Sequence, residues 1–569
     1  MPSAAVRALP GIGAMLLAGI GMATAGNAGS RPTPAITFPD VAPAVMSRQV
    51  VEGIVRTLSS DSFEGRAAGT AGGEKTTAYL VQRFIDAGLQ PGNSGAWLQK
   101  VPMVEITGQE HGPLIVSAHG HPLRFDFGTD WVGVTSRPVK RIDLKASELV
   151  FVGFGINAPE KGWNDYAGMD MRGKTALILA NDPDHDAKSG KGPFGGRAMS
   201  YYGRWTYKFE EAARQGAAAA IIIHDASPGS NDWNEIEGGW TGPQTYLDAA
   251  HNDSEPMLMS GWVQKSVAEQ IATAAGKDMP SLGTAAQQRG FRAVALGITI
   301  STGFDNTVRR MMSHNVIGVL PGKARAHEYV LYTAHWDHLG RCPADETGDD
   351  ICNGAIDNAT GTAGLVALAA ANTAAGPAAR SQVFIAFTGE EEGLLGSEFY
   401  ATHPIFPLEQ TAGGLNIDTM LMTGTARDMI VVGKGKSNLD AYLAKALRGA
   451  RRRPSPDPAP EDGHYYRSDH FSFARRGVPM LYIESGQNLV NGGRKAGRTA
   501  ARDYETRHYH QPSDEYDPNW DWAGVMEDLQ ILYQTGRMLA QSKAWPNWHA
   551  EDEFRPVRDE SCAASPDGC

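Results

Sequence analysis

The segment FTGEEEGLLGS, residues 387–397, places three consecutive glutamates between an apolar run and a helix-like run. Neighbouring carboxylates repel one another, so Glu390, Glu391 and Glu392 cannot all be held close together as anions unless a cation offsets their charge. The segment therefore raises the hypothesis of a metal site in which some of these glutamates take part.

Other groups that could bind a cation follow apolar runs in the same half of the chain. EYVLYTA runs into a His-Trp-Asp-His sequence, GGLNI into an aspartate, and the loop after VPMLYIE reaches a Tyr-His pair. NGAIDNATG carries an aspartate just before a helical pattern, where a helix N-terminus favours negative charge. The residues concerned are His335, Asp357, Asp418 and His510.

Each of these residues alone has an ordinary explanation. A single aspartate before a helix is most often an N-cap, and a single histidine at a strand end is most often a hydrogen-bonded loop residue. Packing does not require five such residues at successive strand ends. Two imidazoles and three carboxylates suit zinc better than calcium or magnesium, which prefer all-oxygen shells. Two zinc ions that share one bridging carboxylate and one water fit this number of ligands.

The elements that would position these residues form an α/β pattern. From Val316 onward, apolar strand-like runs alternate with helical runs, which predicts a mixed, mainly parallel sheet flanked by helices. Ligands of such sheets bind beyond the carboxyl ends of the strands. Ala44–Ser59 and Gly73–Gly88 have the pattern of amphipathic helices. Between Glu105 and Ser301 the pattern changes to short β-like runs with one clear helix, KFEEAARQGA, and indicates a non-catalytic inserted segment.

Five stretches occur in a familiar order: AHWDHLG, NGAIDNATG, GEEEGLLGS, NIDTM and YHQPSDEYD. They resemble the secreted di-zinc aminopeptidases and the related glutamate-carboxypeptidase-type enzymes. EGRAAGTAGGEKTTAYLVQRFIDAGLQPG is similar to the N-terminal segment of that family. VFVGFGINAPEKGWNDYAGMDMRGKTALIL, together with EEAARQGAAAAIII, resembles the protease-associated domain that is often inserted in these enzymes. The resemblance covers about Val316 to Gln541 and the N-terminal helices, and it implies a zinc-exopeptidase-like fold.

The resemblance also implies a ligand set. His335 and Asp418 would hold one zinc ion, Glu391 and His510 the other, and Asp357 would bridge the two. In the family the peptide bond after the bridging aspartate is cis, and we expect the same here. The implied cofactor is two zinc ions per chain.

The remaining roles come from the same resemblance. Glu390 would be the general base, and Asp337 would orient His335 by accepting its other ring proton. Tyr509 matches a residue that in some members helps to stabilise the oxyanion. Glu392 is left as the solvent-facing or helix-starting glutamate.

Two further sites compete for a role in the chemistry. His338 lies three residues after His335, the spacing of a helical metal-binding pair, but it follows an extended run in which helical spacing is not expected. SDHFSF contains Asp469 and His470, and its family counterpart lies near the substrate cleft. The alternative explanation is a helix N-terminus capped by Ser468 or Asp469.

The implied function is a zinc-dependent exopeptidase, an aminopeptidase that hydrolyses N-terminal residues from peptides. One alternative is a di-zinc carboxypeptidase of the glutamate-carboxypeptidase type, which needs cations such as those of the Arg-rich loop GGRKAGRTAARDYETRHYH. A glutaminyl-cyclase-like transferase has a similar fold but uses a single zinc. A non-enzymatic receptor is disfavoured because such relatives tend to lose ligands, and all five are present here.

Composition and cysteine content bear on partners and location. A formal net charge of -12 argues against a nucleic-acid surface, and no segment after the first 26 residues is long and apolar enough to cross a bilayer.

The first residues have one arginine, a short apolar run and an Ala-Thr-Ala sequence, typical of a secretory signal cleaved near Ala25. Export to the periplasm or the medium fits four cysteines, for which we predict the disulfides Cys342–Cys352 and Cys562–Cys569.

The expected organisation has five parts. They are a signal peptide (1–25), an N-terminal part of the peptidase domain (40–104), an inserted protease-associated domain (105–300), the zinc peptidase catalytic domain (301–548) and a C-terminal tail (549–569).

Overall fold

The computed structural model describes residues 38–109, 111–118, 121–187, 192–225, 232–248 and 256–564. The predicted signal peptide and Cys569 lie outside these residues, so the signal and the Cys562–Cys569 pairing stay predictions. The Cys342–Cys352 disulfide is present, and its prediction is confirmed.

Helices occur before, within and after a long β-rich region. They are α1 (Arg48–Leu58), α2 (Ala71–Asp86), α3 (Trp205–Arg214), α4 (Trp233–Thr241), α5 (Lys265–Ala274), α6 (Met279–Ala286), α7 (Gly361–Ala374), α8 (Leu395–Thr402), α9 (Leu439–Gly449), α10 (His470–Ala474), α11 (Gly493–Arg507), α12 (Ala523–Gln541) and α13 (Arg555–Ala564).

The strands range from two residues to 27 residues in length. They are β1 (Gln90–Pro91), β2 (Leu98–Gln109), β3 (Leu114–Ala118), β4 (His121–Phe125), β5 (Trp131–Val134), β6 (Arg141–Phe151), β7 (Asn157–Ala158), β8 (Trp163–Asn164), β9 (Thr175–Leu179), β10 (Ala219–His224), β11 (Gln244–Leu247), β12 (Met259–Gln264), β13 (Val294–Leu320), β14 (Arg325–His335), β15 (Gly340–Arg341), β16 (Ile351–Cys352), β17 (Arg380–Phe387), β18 (Thr411–Ile417), β19 (Asp428–Val432), β20 (Arg453–Pro456) and β21 (Met480–Glu484).

The C-terminal half has the predicted α/β architecture. Strands β17, β14, β18 and β21 are parallel neighbours, whereas β13 pairs with β17 and β19 pairs with β21 in antiparallel fashion. Helix α7 packs against α1 and α12, and α8 packs against α10. One buried cluster joins Leu331, Ile385 and Phe387 of the strands to Tyr400 of α8 and Phe473 of α10. The mixed, mainly parallel sheet flanked by helices is confirmed.

The inserted segment has its own two apolar layers. Strands β6, β9, β10 and β12 run parallel to one another. Alternate residues of β10 point to opposite faces, so Ile221 and Ile223 join one buried cluster and Ala220 and Ile222 the other. A sheet covered on both faces in this way explains why AAAAIIIHD is an unbroken apolar run rather than an alternating one.

Strand β13 connects the two halves of the structure. It pairs with β6 over Val294–Asp305, with β2 over Asp305–Val316 and with β17 over Val316–Leu320. The predicted boundaries at 104/105 and 300/301 fall inside β2 and β13. The inserted segment is thus attached to the catalytic half by two paired strands.

The inserted segment also contacts the catalytic half directly, through side chains and through the backbone. Arg475 Nη1 lies 2.7 Å from Glu210 Oε1. The backbone N–H of Met199 donates to the carbonyl of Pro460 at 3.0 Å, and the ring of Tyr201 packs edge-on against that of Phe471. These contacts lie beside the segment that leads into Ser468 and Asp469.

The Arg-rich segment before Tyr509 is not a loop. Residues Gly493–Arg507 form α11, and Gly497 is its one buried residue. Because the helix has no apolar face, the hydrophobic period that predicts helices is missing from its sequence. None of the helices in the described ranges is long and apolar enough to span a membrane.

Candidate metal centre

The carboxyl ends of three parallel strands bring the predicted ligands together. β14 ends at His335, β18 ends one residue before Asp418, and β17 ends three residues before Glu390. The glutamates would alternate in direction if the strand continued, but Gly389 has φ +65°. At this left-handed glycine the chain leaves the extended conformation, and Glu390 and Glu391 can both turn towards the site.

Asp357 lies at the centre of the cluster and is 3% exposed. Its Oδ1 is 3.3 Å from His335 Nε2, and its Oδ2 is 3.4 Å from His510 Nε2. The peptide bond between Asp357 and Asn358 is cis, as the family resemblance implies. Each carboxylate oxygen therefore faces a different imidazole, which is the arrangement required of a bridging ligand.

The other predicted ligands complete two groups around Asp357. His335 Nε2 is 3.2 Å from Asp418 Oδ1 on one side. His510 Nε2 is 3.0 Å from Glu391 Oε2 on the other. All five residues that the sequence singled out as ligands therefore meet in one place.

His338 lies closer to the cluster than the sequence suggested. Its Nδ1 is 2.5 Å from Glu391 Oε1, and together with Asp357 these residues form a third group with metal-binding geometry. Its other ring nitrogen, Nε2, is buried and has no hydrogen-bond partner among the described residues. Because this contact uses Oε1 of Glu391, the second oxygen, Oε2, still faces His510.

Glu390 is 9% exposed and stands beside the ligands. Its backbone N–H donates to Asp337 Oδ1 at 3.3 Å. Burial raises the pKa of the Glu390 carboxyl well above its ordinary value, and the nearby Asp418 and Glu391 act in the same direction. By contrast, Glu392 is exposed, as expected for the glutamate left outside the site.

Asp337 does not accept the second ring proton of His335 with its side chain. His335 Nδ1 is 3.2 Å from the backbone oxygen of Asp337 and 3.9 Å from its Oδ1. The backbone carbonyl is therefore the nearer acceptor, and the carboxylate instead orients the backbone that carries Glu390.

The three remaining candidates, Tyr509, Asp469 and His470, have different surroundings. The Tyr509 ring stacks on that of His510 with centroids 3.8 Å apart. Asp469 is fully buried, and burial raises the pKa of its carboxyl to about 7. His470 lies between the rings of Tyr465 and Tyr482, and burial lowers the pKa of its imidazole to about 3. His470 is therefore part of an aromatic core.

Ser468 acts on the metal centre and not as a helix cap. Its hydroxyl donates to Asp418 Oδ2 at 2.7 Å and accepts a hydrogen bond from Asn416 Nδ2 at 2.7 Å. Asn416 in turn accepts from Thr333 Oγ1 at 2.6 Å. This chain of hydrogen bonds fixes the Asp418 oxygen that does not face His335.

Asp514 holds the loop that carries the bridging aspartate. Its Oδ1 accepts from the N–H of Ile356 at 3.0 Å, and its Oδ2 accepts from the N–H of Asp357 at 3.1 Å. The Tyr504 hydroxyl donates to Oδ2 at 3.2 Å. Asp514 lies within the recognised stretch YHQPSDEYD, but its role depends on a long-range contact that the sequence does not reveal.

Arg66, from the N-terminal segment, ties two loops of the metal centre together. It is fully buried and donates to four backbone carbonyls, those of Leu58, Trp336, Asn353 and Gly354, at 2.5–2.9 Å. One guanidinium thus fixes both the residue after His335 and the loop before Asp357.

Arg66→Met is expected to destabilise the protein and to weaken metal binding. The change leaves buried carbonyl groups without donors, which costs about 1–3 kcal/mol for each. We expect the free energy of unfolding, measured in urea, to fall by about 3 kcal/mol or more. Arg56→Met, at an exposed position of α1, is the matched control and should change it by less than about 0.5 kcal/mol. Equal effects of both changes would contradict this role.

The donor set fits zinc. The imidazole nitrogens of two histidines lie 3.0–3.4 Å from oxygens of three carboxylates. His510 Nε2 is buried without a hydrogen-bond partner among the described residues. Burial alone would lower the pKa of His510, but Glu391 and Asp357 raise it to about 10. The carboxylates therefore require positive charge, and mixed nitrogen and oxygen ligands favour zinc.

One protein-family model matches part of this chain. Residues 315–534 match the model of peptidase family M28. A search of curated proteins gave no significant match.

Solved structures similar to this chain include three bacterial proteins. An aminopeptidase from Aneurinibacillus sp. strain AM-1 is 20% identical, with 88% of this chain and 95% of that chain covered and a TM-score of 0.47. A zinc aminopeptidase from Bacillus subtilis is 18% identical, with 87% and 95% covered and a TM-score of 0.41. A peptidase M28 precursor from Shewanella amazonensis SB2B is 17% identical, with 88% and 95% covered and a TM-score of 0.40. The match to the model of peptidase family M28 is confined to residues 315–534 of the chain.

Proposed function

We propose that this protein is a zinc-dependent aminopeptidase that binds two zinc ions. The observation that supports this proposal is the position of Asp357, whose two oxygens face different imidazoles. His335 and Asp418 would hold one ion, and Glu391 and His510 the other. When bound, zinc supplies a Lewis acid that polarises the substrate carbonyl and lowers the pKa of the attacking water.

Glu390 would move the proton during hydrolysis. Its carboxylate accepts a proton from the attacking water as the oxygen bonds to the carbonyl carbon. It then gives that proton to the leaving amine as the C–N bond breaks, so the base is regenerated. Burial of the Glu390 carboxyl opposes the lowering of its pKa by two nearby cations, which keeps the carboxylate basic enough for both steps.

Tyr509 and Asp337 would have supporting roles. Tyr509 is 37% exposed and stacks on His510, which supports a role for its phenol in stabilising the substrate oxyanion. Asp337 holds the backbone of Glu390 in place through the 3.3 Å contact with its N–H.

The charge of the cluster supports an aminopeptidase over a carboxypeptidase. Asp337, Glu390 and Asp469 add three carboxyl groups to the three that would bind zinc. Among the described residues, every ion pair made by the cluster is with a histidine, and no lysine or arginine takes part. The cluster thus has no lysine or arginine partner for a substrate carboxylate, whereas its carboxylate oxygens can accept hydrogen bonds from a substrate ammonium group.

Free and N-blocked substrates test this proposal. We expect Leu-4-nitroanilide to be cleaved and N-acetyl-Leu-4-nitroanilide not to be cleaved, with two zinc ions per chain by elemental analysis. Cleavage of only the blocked substrate would contradict an aminopeptidase. One zinc per chain with cyclisation of an N-terminal glutamine would favour the glutaminyl-cyclase-like alternative.

Export also belongs to the proposal. The presence of the Cys342–Cys352 disulfide supports an oxidising compartment such as the periplasm or the medium. The signal-like sequence ending near Ala25 supports the same location. Peptides would then be the substrates available to the enzyme outside the cytoplasm.

A further inference from the structure

A small cavity lies where the inserted segment meets the catalytic half. Its volume is about 210 Å³, and its apolar walls include Trp205, Trp240, Trp262 and Ile236. The three indoles form a chain, with ring centroids 5.7 Å and 6.2 Å apart. The volume is below the about 300–1,000 Å³ of pockets for drug-sized ligands, so the cavity suits a single side chain or a short chain end.

Two arginines line this cavity without partners. Arg204 comes from the inserted segment and Arg467 from the catalytic half. Among the described residues, neither guanidinium makes a hydrogen bond or an ion pair, and Arg204 Nε is buried. Glu235 and Asp462 also line the cavity, but they form no ion pair with either arginine. The cavity wall therefore holds two guanidinium groups that no carboxylate of the described residues bonds directly, with Arg204 partly buried and Arg467 exposed.

Two effects disfavour the charged form of Arg204. Burial and, after it, the positive charge of Arg467 lower the pKa of the Arg204 guanidinium to about 9. The side chain still carries its charge at neutral pH. A desolvated cation beside a second cation binds an anion strongly, because the anion offsets both charges.

One residue of the cavity wall is close in sequence to the metal centre. Arg467 is followed directly by Ser468, whose hydroxyl donates to Asp418 Oδ2 at 2.7 Å. The charge of Arg467 also acts on Tyr509, which stacks on His510. Arg467 therefore belongs both to the cavity wall and to the segment that carries Ser468 of the metal centre.

We propose that this cavity binds a carboxylate of the peptide substrate between Arg204 and Arg467, with the attached hydrocarbon against the tryptophans. The inference rests on the proposed peptidase function and adds a substrate class to it. The carboxylate can come from an acidic side chain or from the C-terminus of a short peptide. Both sources present the same two oxygens to a pair of guanidinium groups.

Matched substrates distinguish the two sources. Glu-4-nitroanilide against Gln-4-nitroanilide tests the side chain, and Leu-Leu against Leu-Leu-amide tests the C-terminus. We expect kcat/KM to favour the carboxylate in at least one pair by tenfold or more, and Arg204→Gln to reduce that ratio to near one. No preference in either pair, or a preference that survives Arg204→Gln, would overturn the proposal.

Three variants separate binding from folding. Arg204→Lys keeps the charge and should retain part of the preference. Arg172→Gln removes the same charge at an exposed site of the inserted segment and should leave the preference intact. Because Arg204 has no partner to lose, Arg204→Gln should leave Tm unchanged or raise it. A large fall in Tm would assign Arg204 to the fold instead.

A binding measurement keeps this inference separate from the proposed function. Glutarate and its neutral analogue glutaramide can be titrated by calorimetry into the full chain loaded with zinc. We expect glutarate to bind at least tenfold more tightly than glutaramide, and Arg204→Gln to abolish the difference. If no peptide is cleaved but this difference is present, the peptidase proposal fails and the carboxylate site stands. If peptides are cleaved but glutarate binds no more tightly than glutaramide, the peptidase proposal stands and the carboxylate site fails.

Discussion

Glu390→Gln is expected to lower kcat by about 10²–10⁴-fold, the usual contribution of a general base. The amide has nearly the same shape as the carboxylate but cannot accept the proton of the attacking water. Because Glu390 is not among the proposed ligands, two zinc ions should remain bound. Initial rates on Leu-4-nitroanilide and elemental analysis of the same sample check both statements.

Glu392→Gln is the matched control for this experiment. The change in chemistry is identical, only two residues away, but Glu392 is exposed. Its activity and zinc content should equal those of the unchanged protein. If Glu390→Gln loses zinc as well as activity, Glu390 is a ligand and the roles of the two neighbouring glutamates are exchanged.

Asp357→Ala is expected to remove both zinc binding and activity. Each proposed zinc ion would keep only two protein ligands, whereas catalytic zinc sites have three. We expect zinc content after dialysis to fall from two ions per chain to less than one, and kcat/KM to become undetectable. Elemental analysis and the Leu-4-nitroanilide assay measure the two effects.

Loss of one ion only, with the second still bound, would contradict a bridging role for Asp357. Asp86→Ala, at a half-exposed position of α2, controls for the loss of a carboxylate and should keep both ions. Addition of excess zinc to the Asp357 variant distinguishes weakened binding from misfolding, because only the former is reversed. Far-ultraviolet circular dichroism should be the same for all three proteins.

The sequence predicted the catalytic half because its strands are continuous apolar runs. EYVLYTA, SQVFIAF and GGLNI could be recognised as buried strands, and the polar residues at their carboxyl ends could be placed at one sheet edge. His335, Asp418 and the glutamates at 390–392 follow from this rule, whereas the choice of Glu391 as the ligand needed the family resemblance. Their assignment to particular zinc ions needed the family resemblance.

Contacts between distant segments could not be predicted. Nothing in the local pattern around Arg66 indicates that its guanidinium reaches the carbonyls of Asn353 and Gly354. Likewise, the closeness of Arg204 and Arg467 depends on how the inserted segment packs. Helix α11 was missed for a different reason, since a helix with almost no buried residue has no apolar period.

Strand β13 has a consequence for how the chain is made. Its partner β2 lies about 200 residues earlier, and closing so long a loop carries a large entropic cost. At a synthesis rate of about 5–20 residues per second, β2 is complete about 10–40 seconds before β13 is available. For most of this interval neither of its partners, β11 and β13, has been made, so β2 is an unpaired edge whose backbone groups can pair with other chains. The long strand that unites the finished protein thus delays completion of the sheet and creates a period of vulnerability to aggregation.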